Sequence, residues 1–289
     1  MSAATVGAPA GARRFPEPRG LFLAMLRVHR SALLFWLGLV VVAAGALLWA
    51  LGPGADSAWA EYQASGCGGD SPGLGCDLPG PAHGRYDTVM ACASGLLAVL
   101  PVLTAAWAGG ALIGRELESG TAELAWTQSV TPARWLAAKL AVPALLLVPG
   151  TLVITLLHRA LWASDSHPQR ALGWREWHDD SVFEANGILA TAHPLAALAL
   201  GVLAGLVARR ALPALAVAAL AVMALIYVLD DVRPHLWPMP PGTPVLMHRH
   251  PSSHFWPLQL METGLLLAVT ALAAATAFIL LRSRTGAAV

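Results

Sequence analysis

Six runs of 19 to 26 mostly apolar residues dictate what this chain can fold into: Ser31–Leu51, Thr88–Ile113, Trp135–Leu157, Gly187–Ala208, Ala211–Leu229 and Thr263–Leu281. A helix rises about 1.5 Å per residue, so each run can cross a hydrocarbon core of about 30 Å. In that medium the backbone must pair its own N–H and C=O groups, and a helix does this within one segment. The charge content agrees, at 12% against the roughly 25% of a soluble domain, with a mean hydropathy of +0.60. The expected fold class is all-α: a polytopic membrane protein with six transmembrane helices in one domain over residues 1–289. Only Arg209-Arg210 separates the fourth and fifth runs, so these form a tight antiparallel hairpin.

Charge sets the expected orientation. The amino terminus, the 114–134 loop with Lys139 just beyond it, Arg209-Arg210 and the tail hold 12 lysines and arginines; the opposite side holds six. The positive-inside rule then makes both termini and the 114–134 loop cytoplasmic, and the 52–87, 158–186 and 230–262 loops extracellular. Trp49, Trp135, Trp162, Trp237 and Trp256 fall near span ends, as an aromatic belt requires. Residues 1–30 carry five arginines, and Leu21–Arg30 reads either as a basic amphipathic helix on the membrane surface or as a plain basic flank. The first apolar run starts too late and runs too long for a secretory signal core of about 7–15 residues, so it counts as a span. Pro101, Pro143 and Pro149 should kink their helices. Gly201 and Gly205 form a Gly-x-x-x-Gly pattern suited to close packing, within the chain or at a subunit interface.

Several kinds of chemistry are missing. All 17 acids fall in loops or at the ends of the assigned spans, which argues against a transporter with a midplane proton or sodium site. Lys139 is the one lysine and lies in no glycine-rich loop, so the chain carries no P-loop and no ATPase chemistry of its own. No basic cluster is dense enough to track nucleic-acid phosphates. His248, His250 and His254 could hold a metal by spacing, but no acid is near and Pro251 breaks the helix that would align them, so they read as a polar interfacial loop and only as weak metal candidates. His178, Asp179, Asp180 and Glu184 form a second, weaker candidate set. No catalytic serine or zinc-protease signature occurs.

The 114–134 segment is the one sizeable polar stretch between two long apolar runs that also patterns as a short amphipathic helix. Glu116, Glu118 and Glu123 sit with Arg115 and Arg134; Gly120 would end a first helical turn and Thr121 could cap the second. Such a loop suits docking onto a soluble partner, although a merely solvated loop has the same composition. The sequence Gly114-Arg115-Glu116-Leu117-Glu118-Ser119-Gly120-Thr121-Ala122-Glu123-Leu124, followed by Thr127-Gln128-Ser129-Val130-Thr131-Pro132-Ala133-Arg134-Trp135 and Lys139-Leu140, resembles the cytoplasmic loop of ABC-2-type permeases. The stretch Phe183–Pro213, with Gly187-Ile188, Pro194, Gly201, Gly205 and Arg209-Arg210, is similar to permeases of that family from high-GC actinobacteria.

The resemblance implies the membrane subunit of an ATP-binding-cassette transporter, multi-pass in a bacterial plasma membrane. Two six-span subunits, identical or paralogous, would pair with two ATP-binding subunits that bind ATP and magnesium. Arg115, Glu116, Glu118, Gly120, Thr121, Glu123 and Arg134 would form the coupling helix that docks the ATPase, and this chain would bind no cofactor. Export of an apolar or amphipathic compound is the expected activity, with membrane lipid as the surrounding partner. The alternatives are a non-transporting sensor or immunity subunit, and a membrane enzyme with an outer-loop metal site. Cys67 and Cys76 share the 52–87 loop; in an oxidising compartment they would form a disulfide stabilising the fold by about 2–3 kcal/mol, and otherwise remain two thiols. Alkylation of protein from intact cells without reductant, followed by mass measurement, should find both cysteines blocked; two alkylated thiols would rule the bridge out.

Overall fold

A computed structural model describes residues 18–65, 80–127, 130–163, 176–239, 242 and 244–286. Cys67 and Cys76 lie outside these residues; Cys92, within them, is a free cysteine. The described chain is helical. Helix α1 is Pro18–Val28, and α2 is Arg30–Trp49, which runs through a π-helical turn, Ala50–Gly54, into α3 at Ala55–Ala64. Helix α4 is Pro81–Trp107, prolonged by a second π-helical turn, Ala108–Gly114, into α5 at Arg115–Glu118. Then come α6 at Thr121–Thr127, α7 at Pro132–Ala163, α8 at Asp180–Ala185, α9 at Leu189–Ala208, α10 at Ala211–Val232 and α11 at Phe255–Thr285. Three 3₁₀ turns, Arg233–His235, Met247–Arg249 and Ser252–His254, join the last two. Six of the helical stretches are long and apolar enough to cross a membrane.

Helix α9 is the axis of the bundle, touching α4, α7, α10 and α11. Its most apolar window is 72% buried, against 6% for that of α2, which presents Phe35, Val41 and Val42 outward. Between helices in lipid the hydrophobic effect supplies little, so close backbone approach becomes the means of association. Here the two glycines of α9 supply it inside the chain. A Cβ on Gly201 would sit 2.6 Å from the Ala105 carbonyl oxygen, and one on Gly205 2.6 Å from Ile113 Cβ. The Ala108–Gly114 turn answers from the other side: a Cβ on Gly109 would lie 2.7 Å from the Ala214 carbonyl, and one on Gly114 3.0 Å from that of Arg210. This turn is wedged between α9 and α10.

The first two long helices exceed their sequence-derived bounds, and the 52–87 stretch is less of a loop than its glycine and proline content suggests. Pro53 lies inside the π-helical turn, where the missing N–H is accommodated and the chain stays helical to Ala64. That extension brings Glu61 to the start of α4, where its Oε2 accepts from the N–H groups of Ala82 and His83 at 2.7 and 2.9 Å. A carboxylate there satisfies orphan donors and faces the positive end of the helix dipole. Gly80 makes room, since a Cβ on it would fall 1.9 Å from Glu61 Oε1.

At the opposite end, α1 packs on α7 with Met25 buried beside Trp135, Ile113 and Leu281. Arg284 near the end of α11 donates to the Leu206 carbonyl. The first and last helices therefore meet the α4–α7 and α9–α10 connections at one end of the bundle. The prolines expected to kink the spans, Pro101, Pro143 and Pro149, lie inside continuous helices.

The glycine contacts give a contrast. Gly205→Leu should lower the stability of the detergent-solubilised protein by about 1–3 kcal/mol or more, by overpacking against Ile113. Gly45→Leu, with nothing within 4 Å, should leave it unchanged. Thermal unfolding with size-exclusion profiles measures both; equal melting of the two variants would contradict the packing assignment.

Candidate docking site

The 115–127 segment forms two short helices joined by Ser119-Gly120. Gly120 adopts φ +73°, where a side chain would be strained, and its carbonyl accepts from Leu124 N–H to start α6. Thr121 does not cap α6 through its side chain. Its hydroxyl donates back to the Glu116 carbonyl at 3.2 Å, which folds the second helix against the first. Thr131 instead caps α7, its Oγ1 accepting from Arg134 N–H at 3.3 Å.

Each acid of the segment is engaged by the chain itself. Glu116 Oε1 accepts from the Lys139 ammonium, and its Oε2 from Trp135 Nε1 at 3.2 Å. Lys139 is 1% exposed and also donates to His29 Nε2 at 3.2 Å, which requires a neutral imidazole. Burial, with Lys139 beside it, pushes the His29 pKa below the usual histidine value in the same sense. Glu116 therefore ties α5 to α7 and to the α1–α2 junction. Glu118 Oε2 accepts from Ala211 N–H at 2.9 Å and so caps α10. Glu123 pairs with Arg209 at 3.4 Å; both side chains are more than half exposed, and such surface pairs contribute at most about 1 kcal/mol. Arg209 itself closes α9 in the left-handed region, φ 55°, donating its N–H to the Gly205 carbonyl.

The segment is thus a small platform standing on the α9–α10 turn and on Lys139. The candidate residues Arg115, Glu118, Thr121 and Glu123 are exposed, and so is Leu124, at 58%. Glu116 and Arg134 are half-buried. The charge pattern in the sequence pointed at the platform; the internal use of Glu116 by Lys139, 23 residues on, left no signal there.

A second cluster, at the far end of the bundle, went unread in the sequence. Arg233 is 1% exposed. Its Nε and Nη2 donate to the two oxygens of Glu262 at 2.8 and 3.0 Å, and it reaches Glu184 at 3.1 Å, Asp180 at 3.2 Å and Asp230 at 2.7 Å. Its guanidinium lies 4.9 Å from the Phe183 ring centroid. Glu262 is fully buried and sits two turns inside α11. This corrects the reading that all 17 acids lie in loops or at span ends: the last helix begins at Phe255, not near Thr263, and Gln259 and Glu262 are helical residues facing buried partners. Gln259 stitches the α8–α9 connection, donating to the Phe183 carbonyl at 2.6 Å and accepting from Leu189 N–H at 3.2 Å. Burial pushes the Glu184 carboxyl above the usual carboxylate range, against the pull of Arg233.

The weaker metal candidates take other roles. Asp180 and Glu184 serve Arg233, while His178 packs on Trp177 and His248. His250 Nε2 bonds the Pro234 carbonyl at 3.0 Å, so its Nδ1 accepts from His254 Nδ1 at 2.9 Å; the pair pins the loop to the Arg233–His235 turn. His248 is exposed and apart from them. Among the described residues, no three His, Cys, Asp or Glu are arranged to hold a metal ion.

A family model described as "ABC-2 membrane transporter related" matches residues 38–233. The chain belongs to that family. No curated protein and no solved structure matches it significantly. The matched region holds the platform, the Ala108–Gly114 turn and the α9–α10 hairpin. This ABC-2 family member is a multi-pass membrane protein, and its membership implies an ATP-binding-cassette partner in general terms.

Removing Arg233 strands a buried Glu262. Arg233→Ala should cost about 3–5 kcal/mol, whereas Asp180→Asn, at a side chain 77% exposed, should cost less than about 1 kcal/mol. Unfolding in detergent, followed by tryptophan fluorescence, separates the two.

Proposed function

We propose that this protein is the membrane-spanning subunit of an ATP-driven exporter, docked through residues 115–127 onto a separate ATP-binding subunit. The platform's mechanical connection carries the reading. Glu116 grips Lys139 of α7, Glu118 caps α10, and the platform continues the Ala108–Gly114 turn wedged against α9. A displacement of α5 and α6 by a partner therefore reaches four spans through polar contacts and through the backbone that continues from the Ala108–Gly114 turn into α5. The exposed face offers Arg115, Thr121, Glu123 and Leu124 to that partner. The excess of positive charge at this end favours a cytoplasmic location, where ATP is available; the host bilayer is a bacterial plasma membrane, as the sequence resemblance implies.

Nucleotide chemistry belongs to the partner in this reading. The bundle's part is to rock between two packings as the platforms move. A second six-span subunit, the same chain or a paralogue, completes the pathway; α2 and α10 leave long apolar faces available to it or to lipid. The cargo is an apolar or amphipathic compound, in keeping with spans lined by Ala, Leu, Val and Gly.

The test uses affinity purification in mild detergent from native cells, with co-purified P-loop ATPase measured by mass spectrometry. The variant Arg115→Glu with Leu124→Asp alters the outer face and spares Glu116 and Glu118. It should retain the melting behaviour of the parent and lose at least tenfold of the ATPase. Undiminished recovery would refute the docking face. A parent preparation with no ATP-binding subunit would turn the assignment to a sensor or immunity subunit.

A further inference from the structure

At the end of the bundle away from the platform, a groove of about 410 Å³ opens on the exposed apolar surface between α7, α9 and α11. Small-molecule sites typically occupy about 300–1,000 Å³. Its walls are aliphatic, and Leu152, Leu156 and Leu267 are about half exposed, so the groove is entered sideways from the bilayer. Along α7 it extends from Val148 to Arg159, eleven residues or about 16 Å at about 1.5 Å per residue. That is the hydrocarbon depth of one leaflet, half of about 30 Å.

The exposed lining is almost wholly apolar, with polar side-chain atoms buried just behind it. Three lining residues, Thr155, Asn186 and Thr263, each carry a buried side-chain donor with no partner: Thr155 Oγ1, Asn186 Nδ2 and Thr263 Oγ1. Thr155 and Asn186 are 6% and 0% exposed. Buried polar groups without partners are rare, because each costs about 1–3 kcal/mol. The Asn186 amide is held by His158, whose Nδ1 meets Asn186 Oδ1 at 2.7 Å; His158 is held in turn by Ser94 at 2.8 Å. That arrangement leaves the amide nitrogen unused.

A cation marks the interfacial end. Arg159 donates to the Asn186 carbonyl at 2.7 Å and stacks over Trp256 at 4.9 Å and Phe255 at 5.4 Å. Among the described residues no carboxylate pairs with it. The layout is a leaflet-long aliphatic trough, with unpartnered hydrogen-bond donors buried in its wall and a guanidinium with an interfacial tryptophan at its mouth. It has the polarity of one lipid molecule standing in its own leaflet.

We propose that this groove is a binding site for an anionic phospholipid of the surrounding bilayer. One acyl chain lies along α7 and the phosphate lies against Arg159, while the buried Thr155, Asn186 and Thr263 donors reach the ester oxygens by turning toward the groove. The site is independent of whether residues 115–127 dock an ATPase, so either assignment can fail alone.

Native mass spectrometry of the full chain, released from micelles doped with one lipid at a time, tests it. Phosphatidylglycerol should be retained in a one-to-one adduct at least fivefold more than phosphatidylcholine. Arg159→Ala should abolish that preference. Leu152→Trp, at a lipid-facing position that keeps the cation, should lose the adduct by filling the trough, and it carries the test if Arg159→Ala fails to fold. Equal retention of both lipids by the parent, or an undiminished phosphatidylglycerol adduct in a folded variant, would overturn the site. Stronger retention of oleate than of phosphatidylglycerol would reassign the groove to a free fatty acid and overturn the phospholipid.

Discussion

Backbone contact between the Ala108–Gly114 turn and the α9–α10 hairpin is the constraint from which the bundle follows. Helices in hydrocarbon gain little by burying leucine against leucine, since lipid tails offer the same contact. They gain by fitting more closely to one another than to lipid, and that requires surfaces without Cβ atoms in the way. Gly109 and Gly114 on one side, with Gly201 and Gly205 on the other, remove those atoms where the backbones approach most closely. The wide π-helical turn sets four of its seven residues, Ala108, Gly109, Gly110 and Gly114, as small side chains within this seam. Around it α7 and α11 add side-chain packing, and α2 remains a peripheral strut held by Trp36, whose indole donates to the Leu146 carbonyl at 3.0 Å.

The two ends of the bundle are fixed by charge, and in different ways. At the platform end, one ammonium, one carboxylate and one neutral imidazole join three parts of the chain that are far apart in sequence. At the other end, one guanidinium, on the Arg233–His235 turn, gathers four carboxylates from three helices. Buried ion pairs are poor sources of net stability because desolvation offsets attraction. Their value here is register: Arg233 can satisfy Glu262, Glu184 and Asp230 together in one packing of α8, α10 and α11. Under the proposed docking at residues 115–127, one end would receive motion and the other resist it.

The number, kind and approximate position of the spans were legible in the sequence, because hydrocarbon imposes a length and an apolar composition that few other folds share. The hairpin at Arg209-Arg210 and the glycine pair on α9 were legible for the same reason. The extension of the first helix past Pro53 was not. A proline beside two glycines normally ends a helix, and only the three-dimensional reach of Glu61 to Ala82 and His83 shows why this one continues. Glu262 was hidden by its surroundings: Gln259 and Glu262 depress local hydropathy, so the span seemed to begin after them, while the arginine that makes the burial of Glu262 tolerable lies 29 residues earlier. In the candidate docking site the composition pointed to the segment, but which acids face outward depends on Lys139 and on the Ala211 N–H, contacts that no local pattern encodes.

The single lysine has a practical consequence. Lys139 is the only side-chain amine in the sequence, and it is enclosed by Glu116, His29 and the Trp135 ring. Amine-directed cross-linkers and acylating labels therefore find no accessible side chain on the described surface, however intimate its contacts with other subunits. Maps of its neighbours must rely on carboxylate-coupling or photoreactive chemistry, with Glu123 and Glu118 as the natural handles. A missing amine cross-link to this subunit would say nothing about whether a partner was bound.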